Sequence, residues 1–321
     1  MWLPPLENRE EIMAENNKAK LSTYKRKESR LAWLFSTPAI ILLIVFVVVP
    51  FIWAIWMSFT NMRLIPNPNV PTKFIGLENY IRLLSDDVFH KALFNNFYFV
   101  IVVVPLQTAF ALGLAMLINQ EMKGMNIFRT VYFSPVVTSM TVVSIVWTLL
   151  YNPGEGLINT FLQAISFGQL GPYNWLTNTK LVFPAIMLMS IWQGVGFQMV
   201  IFLAGLQEIP TSLYEAAEVD GANAWQKFLN ITIPQLRNTL IFVMISTTIL
   251  AFRLFDQVKV MTNGGPSNAS MTTMLYAIET GWGRLRIGYA SAITVVFFII
   301  VLIISILQRI LTREKGAGKS V

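Results

Sequence analysis

The stretch LYEAAEVDGANAWQKFLNITIPQL, Leu213–Leu236, carries acidic side chains that can bind a partner. Carboxylates such as Glu215 and Asp220 accept strong hydrogen bonds from basic and amide groups. Ser212, with Glu215 three residues later, has the pattern of a capping box and predicts that a helix starts there. Gly221 can take the left-handed conformation that ends such a helix. The pattern favours either a docking element or only a solvated connection.

A second short helix is predicted after the bend. Asn223 can cap its start. Trp225, Phe228 and Leu229 follow at i, i+3 and i+4, so they fall on one face. Pro234 suits the first turn of the helix that comes next. The stretch is thus expected to form a small projection of two helices.

Three charged residues interrupt a later apolar stretch. Arg253, Asp256 and Lys259 are spaced i, i+3 and i+6, so they share one side of a continuous helix. Near the centre of a bilayer each costs about 2.5–3.5 kcal/mol unless it is paired or hydrated. Two interpretations stay open. Either Asp256 pairs with its two neighbours and locks the helix, or the charges line a polar path.

Catalytic and metal sites find no support in the sequence. There are no cysteines and one histidine, His90, so thiolate sites, His clusters and Ser/His/Asp sets are excluded. The tail GAGKS, Gly316–Ser320, resembles part of a phosphate-binding loop, but the required first Gly would fall at Arg313 and no strand precedes it. The chain is expected to bind no metal, nucleotide or other cofactor of its own.

Composition identifies a membrane protein. Of 321 residues 55% are hydrophobic and 13% are charged, with a mean hydropathy of +0.57, which is too apolar for a soluble domain. The net charge of +7 therefore does not indicate nucleic-acid binding. Charge-free runs long enough to cross a bilayer predict an all-α fold. Six transmembrane helices are expected at about 31–60, 92–120, 130–151, 181–206, 236–262 and 287–308. The charge-free run 156–179 is polar and is interpreted as an interfacial loop.

Lys and Arg residues predict the orientation. With six spans, 15 of them fall on the side of the two termini and seven on the opposite side. The positive-inside rule then places both termini in the cytoplasm. Residues 1–30 form a cytoplasmic segment, 207–235 a cytoplasmic loop and 313–321 a cytoplasmic tail. The first apolar run has no small-residue cleavage site and is expected to be a retained anchor.

The loop also carries a family resemblance. Its residues resemble the EAA signature of binding-protein-dependent ABC importer permeases at Glu215, Ala216, Ala217, Asp220, Gly221, Ala222, Phe228, Ile231 and Pro234. FIGLENY at Phe74–Tyr80 and FDQVKVMTNGGPSNAS at Phe255–Ser270 are similar to the carbohydrate-importing branch, in particular its MalF/UgpA-like subunits. The resemblance covers the chain from about Arg30 to Arg313.

This resemblance implies a permease subunit in the cell inner membrane that moves a carbohydrate by alternating access. The EAA loop would be the coupling helix that docks in a cleft of an ATPase subunit. The implied partners are a second permease chain, expected to be a different one, two ATPase subunits that bind ATP and Mg, and an extracytoplasmic solute-binding protein. The substrate path is expected to use aromatic and amide side chains as well as Arg253 and Asp256. The further candidates are Trp192, Gln193, Asn95, Asn96 and Gln107, although such residues also bond between helices.

Two other classes of protein remain as alternatives. An ion-gradient-driven secondary carrier would be favoured by inverted repeats, which the sequence does not show, and it would have Asp256 as its ion site. A membrane-embedded enzyme would need a catalytic set, which is missing.

Overall fold

The structure, a computed structural model, describes residues 28–29, 31–66, 68–120 and 124–312. Nearly all of the predicted N-terminal segment 1–30 and the whole tail 313–321 lie outside the described residues. The described part is mainly helical, and its isolated β-bridge joins Thr60 to Phe74. The predicted all-α membrane fold is confirmed, because five helices are apolar and long enough to cross a bilayer and a bent pair can supply a sixth span.

In chain order the helices are α1 Leu31–Ser58, α2 Glu78–Leu84, α3 Asp87–Ile118, α4 Met125–Val137, α5 Met140–Leu150, α6 Leu157–Ile165, α7 Val182–Gln207, α8 Thr211–Val219, α9 Ala224–Lys227, α10 Arg237–Phe252, α11 Asp256–Met261, α12 Thr273–Ile278 and α13 Ile287–Thr312. The chain divides into two units, one ending at Trp56 and one starting at Met57, and the packing described below is that of the second. The predicted interfacial loop at 156–179 contains α6.

The predicted third span is a bent pair of helices. α4 and α5 meet at an angle of 101°. Thr138 and Ser139 between them have extended backbone, with ψ of 137° and 134°. Pro135 lies in the last turn of α4, where its ring removes a backbone donor and weakens the helix. One straight helix over 130–151 is therefore not formed.

The predicted fifth span is broken where its charges begin. α10 ends at Phe252 and α11 starts at Asp256, and Phe255 between them leaves the helical region with φ −143° and ψ −61°. The expectation that Arg253, Asp256 and Lys259 share one side of a continuous helix is therefore wrong.

Side chains from other elements bind the carbonyl groups near the break. Asn96 on α3 donates its amide to the Phe252 carbonyl at 3.2 Å, and the Thr272 hydroxyl donates to the Leu254 carbonyl at 3.0 Å. The same Asn96 accepts a bond of 2.9 Å from the backbone N–H of Thr273. Irregular backbone at membrane depth is tolerated when protein groups satisfy it in this way.

Helices α3 and α7 pack along each other and form the centre of the second unit. The N-terminal half of α3 contributes Phe99 to one hydrophobic cluster, together with Ile186 and Leu275. Its C-terminal half contributes Ala115 to another cluster, together with Phe202 and Leu236. The two clusters bury the apolar faces of α3 and α7 at both ends.

One contact on α7 requires a glycine. A Cβ atom placed on Gly196 would lie 2.1 Å from the carbonyl oxygen of Tyr132 on α4, a distance that backbone atoms do not allow. The missing side chain therefore lets α4 cross α7 with its backbone in contact, as small residues do in membrane helix pairs. Gly113 on α3 has no atom within 4 Å of the corresponding position.

An acidic residue ties three elements together beside the start of α3. Asp86 caps α3 by accepting bonds from the amides of Val88 and Phe89 at 3.0 and 3.1 Å. Its other oxygen accepts bonds of 2.6 Å from the hydroxyls of Tyr276 and Tyr289. Burial alone would raise the pKa of Asp86, but these four hydrogen bonds outweigh it and hold the pKa below its ordinary value.

We expect Gly196→Ala to lower the thermal unfolding midpoint of the purified protein, because overpacking costs about 1–3 kcal/mol when backbone must move. Gly113→Ala is the matched control, since it makes the same change in a span helix with open space around it. Differential scanning fluorimetry in detergent measures both midpoints. Equal midpoints for the two variants would contradict the close crossing of α4 and α7.

Asp86→Asn is expected to destabilise the protein at about pH 7, where the wild-type carboxylate holds both tyrosines, and much less at about pH 3. Because the folded-state pKa is lowered, the stabilisation is present above the ordinary pKa of 3.8 and is lost as pH falls through the lower folded value. Asn keeps the helix cap, so the comparison isolates the charge. Asp87→Asn, at the exposed next position, is the control. A midpoint difference that does not change with pH would rule out this role of the charge.

Candidate functional site

The loop between α7 and α10 forms the predicted projection of two short helices. α8 starts at Thr211 after Pro210, with no side-chain hydrogen bond at its cap. The predicted capping box of Ser212 and Glu215 is therefore wrong, because Ser212 lies inside the helix. Pro210 ends the preceding segment and takes the cap position itself.

Gly221 makes the bend after α8. Its φ is +76°, in the left-handed region where a side chain is strained, although the surrounding space is open. The amide of Gly221 donates to Glu218 O at 3.0 Å and that of Ala222 to Ala217 O at 2.9 Å, which closes the end of the helix. The predicted left-handed turn at Gly221 is confirmed.

A capping box does form at the second helix. The side chain of Asn223 accepts a bond from the Gln226 amide at 2.9 Å, while the Gln226 side chain accepts one from the Asn223 amide at 2.8 Å. Behind this cap, the rings of Trp225 and Phe228 stack with their centroids 5.4 Å apart. The sequence predicted the cap at Asn223 but missed the contribution of Gln226.

An ion pair across the bend was not predicted from the sequence. Lys227 Nζ donates to Glu218 Oε2 at 2.9 Å and so joins α9 to α8. This hydrogen bond and the charge attraction lower the pKa of Glu218 below its ordinary value. Glu218 and Lys227 are nine positions apart in the sequence. Ion pairs within one helix are recognised by a spacing of three or four positions, so this pair shows no such pattern.

The two short helices pack against the rest of the second unit through partly buried contacts. The Tyr214 hydroxyl bonds the Thr232 hydroxyl at 2.9 Å, and Phe228 and Ile231 pack against the cluster that contains Leu236. Most of the predicted coupling residues face outward: Glu215, Ala216, Asp220, Gly221 and Pro234 are exposed, whereas Ala217, Ala222 and Phe228 are half-buried. The projection is thus anchored on one side and open to a partner on the other.

A cavity of about 380 Å³ lies between α3, α7, α10 and α11. Three of the predicted path residues line it, namely Gln193, Arg253 and Asp256, and so does Gln107. Sequence reasoning missed Ser190, Gln198, Thr247 and Gln257, which also line it. They are polar residues in or beside otherwise apolar span helices, and this signal was available in the sequence.

Hydrogen bonds hold part of this polar wall in place. Gln198 donates to the Thr247 hydroxyl at 2.6 Å, and Gln257 donates to the Ser190 hydroxyl at 3.4 Å. The side-chain carbonyl oxygen of Gln198 is buried and accepts no hydrogen bond from any described residue. The wall therefore offers amide and hydroxyl groups to a hydroxyl-rich ligand.

The charges near the helix break form no ion pair among the residues described. Arg253 and Asp256 are both exposed at the cavity, and Lys259 donates instead to Asn263 Oδ1 at 2.5 Å. The interpretation that Asp256 pairs with its two neighbours is therefore not supported by the contacts. The break between α10 and α11 falls within this set of residues, between Arg253 and Asp256.

Trp192, Asn95 and Asn96 do not line the cavity. Trp192 is 45% exposed and its ring lies 5.4 Å from that of Trp147. Asn95 is buried and donates to the carbonyls of Ala269 and Met271 at 3.2 and 2.8 Å, so it anchors the loop before α12. Asn96 supports the helix break described above. The interhelical alternative describes the contacts of Asn96, whereas Asn95 binds carbonyls of a loop.

Residues 88–316 match the family model for the binding-protein-dependent transport system inner membrane component. The chain belongs to this family. It is therefore a membrane permease component of a transport system, as the loop signature predicted, and its span helices agree with that assignment.

Relatives of similar length support the family assignment. The chain is 36% identical over 279 residues to the probable ABC transporter permease protein YurN of Bacillus subtilis, covering 86% of this chain and 94% of that protein. It is 34% identical to the trehalose/maltose transport system permease protein MalF of Thermococcus litoralis, covering 88% and 93%. It is 35% identical to the lactose transport system permease protein LacF of Rhizobium radiobacter, covering 92% and 98%.

The fold also occurs in a solved transporter. A chain of a bacterial ABC transporter that imports the acidic polysaccharide alginate superposes with a TM-score of 0.78 at 22% identity, over 92% of this chain and 99% of that one. This likeness supports the arrangement of the helices.

Proposed function

We propose that the chain is one of two membrane subunits of an ATP-driven sugar importer. The observation that carries the proposal is the anchored projection of α8 and α9, which exposes Glu215, Asp220 and Gly221 to a partner. In this assembly the projection docks on one of two ATPase subunits, which bind ATP and Mg. The chain itself hydrolyses no ATP. Both termini and the projection face the cytoplasm, in agreement with the excess of Lys and Arg on that side.

The substrate class is supported by the names of relatives. Proteins at 34% and 35% identity are named for trehalose/maltose and lactose transport, and another at 34% for arabinooligosaccharides. A structural neighbour at 21% identity was determined with a periplasmic protein that carries an alginate pentasaccharide. A comparable binding protein would deliver the sugar to the extracytoplasmic side of this chain and of a second, different permease subunit.

The cavity at the break between α10 and α11 is the proposed sugar site within this chain. Its wall combines amides such as Gln193 and Gln257 with the charges of Arg253 and Asp256. Amide groups both donate and accept, which suits sugar hydroxyls. The lack of an ion pair between Arg253 and Asp256 leaves both side chains able to bind a ligand or water.

The coupling role predicts that Glu215→Ala combined with Gly221→Pro strongly lowers ATP-dependent uptake. Proline cannot adopt the φ of +76° at the bend, and the exposed carboxylate at 215 is lost. Uptake of radiolabelled maltose, trehalose and lactose is measured in proteoliposomes of the complete assembly, with and without internal ATP. We expect a loss of roughly tenfold or more, equivalent to about 1.4 kcal/mol.

Glu208→Ala is the control for this experiment, because it removes an exposed acid from the same loop outside the signature. It should transport as the wild type does. Co-purification of the ATPase subunits shows that each variant assembles. Uptake that runs on an ion gradient and ignores both ATP and the loop would instead identify a secondary carrier.

The cavity predicts that Gln193→Leu slows uptake while basal ATPase activity and assembly stay unchanged. The loss should be roughly threefold to tenfold, because one hydrogen bond contributes about 0.5–1.5 kcal/mol. Transport is compared at saturating sugar-loaded binding protein. Gln169→Leu, an exposed amide in the loop before α7, is the control. Wild-type uptake by Gln193→Leu would show that the sugar does not contact this wall.

A further inference from the structure

A second concave site lies at the loop-side ends of α10 and α13, away from the sugar cavity. This groove has a volume of about 550 Å³ and is lined by residues of both helices and by Ile233 and Pro234 from the end of the coupling loop. It therefore touches the segment that leads from the projection into α10. No step of the proposed transport cycle uses it.

The lining changes from polar to apolar along α10. Arg237, the first residue of the helix, stands at the loop end of the groove. Leu240 and Met244 follow on the same face, one and two turns further into the membrane. From 237 to 245 this face extends about 12 Å at 1.5 Å per residue. A basic group above an apolar channel of this depth has the pattern of a phospholipid, with a headgroup and an acyl chain.

The side chains favour a lipid over a packed helix. Membrane helix interfaces are enriched in Gly, Ala and Ser, which let backbones approach closely. The groove instead is lined by large flexible residues such as Leu240, Met244 and Leu311. A second permease subunit is therefore a poorer occupant than an acyl chain.

A polar residue lies at the deep end of the groove. Gln308 lines the groove and donates its amide to the Thr248 hydroxyl at 3.0 Å. Thr248 is eleven residues along α10 from Arg237, about 16 Å at 1.5 Å per residue, so the two polar groups lie at opposite ends of the groove. The phosphate of an anionic headgroup would therefore lie at the loop end, near the guanidinium of Arg237, and would not contact Gln308. Basic pockets between membrane helices on the cytoplasmic side bind anionic headgroups in the same way.

We propose that an anionic phospholipid of the surrounding bilayer binds in this groove and braces the end of the coupling loop against α10 and α13. The cytoplasmic position of the groove rests on the proposed function. ATP-driven transport should then depend on anionic lipid through a specific site, in addition to any general effect of membrane charge.

The test uses the complete assembly in nanodiscs of phosphatidylcholine that contain a photoactivatable phosphatidylglycerol. Crosslinked peptides are identified by mass spectrometry, and binding-protein-stimulated ATPase activity is measured with and without phosphatidylglycerol. In the wild type we expect crosslinks to the groove and stimulation by the anionic lipid. Arg237→Gln should reduce both by roughly fivefold, the effect of about 1 kcal/mol for one basic residue at an anionic membrane.

Arg309→Gln is the matched control, since it removes an exposed charge from the last turn of α13 outside the groove lining. It should keep both signals. Met244→Trp fills the groove without changing charge and should also lose the crosslinks, which keeps the test decisive if Arg237→Gln does not assemble. Arg237→Lys should restore part of the signal.

Three outcomes would overturn the lipid site. The first is equal crosslinking in Arg237→Gln and Arg309→Gln. The second is that a photoactivatable phosphatidylcholine labels the groove as strongly as the photoactivatable phosphatidylglycerol does. The third is a crosslink from the groove to the second permease subunit. The labelling does not require transport, so a failure of the lipid site is distinguishable from a failure of the importer assignment. If labelling is specific but uptake ignores ATP, the lipid site stands and the proposed function fails.

Discussion

In a bilayer no water is available to bind backbone groups, so any break in a spanning helix must be satisfied by the protein itself. The break between α10 and α11 meets this requirement with two side chains. Asn96 donates to the Phe252 carbonyl and Thr272 donates to the Leu254 carbonyl. The two bonds satisfy carbonyl groups beside the break, and residues of 253–257 contribute to the polar wall there.

The same break links the proposed sugar cavity to the elements around it. Asn96 also accepts from the Thr273 amide, so α3 holds both the end of α10 and the start of α12. The neighbouring Asn95 binds the loop that precedes α12. The Asp86 carboxylate then fixes α12 and α13 to the start of α3 through Tyr276 and Tyr289. The position of the cavity wall therefore depends on hydrogen bonds that lie outside the cavity.

The sequence predicted what depends on local rules. Charge-free runs located the span helices, and Gly221 and Asn223 marked the bend and the cap of the projection, because these signals need only neighbouring residues. The bend at Thr138–Ser139 follows Pro135, which is a local signal, whereas the break at Phe255 is accompanied by tertiary hydrogen bonds from Asn96 and Thr272, which no single-segment pattern contains. For the same reason Asn95 and Asn96 were interpreted as candidates for the substrate path, although their amides bind backbone from residues far along the chain.

Two helices connect the projection to the cavity. α7 enters the loop at Gln207 and α10 leaves it at Arg237, and both continue to the cavity wall. A Cβ atom on Gly205 would lie 2.9 Å from side-chain atoms of Leu236 and Thr239, so the helices are in close contact at the loop end.

Nearer the cavity, Gln198 on α7 bonds Thr247 on α10 at 2.6 Å. These two ties join α7 to α10 both at the loop end and beside the cavity. In the proposed assembly, a displacement of the projection by a bound ATPase would therefore reach the cavity wall through both helices. The junction at Arg253–Phe255, where helical bonding stops, is the position at which such a motion would change the shape of the cavity.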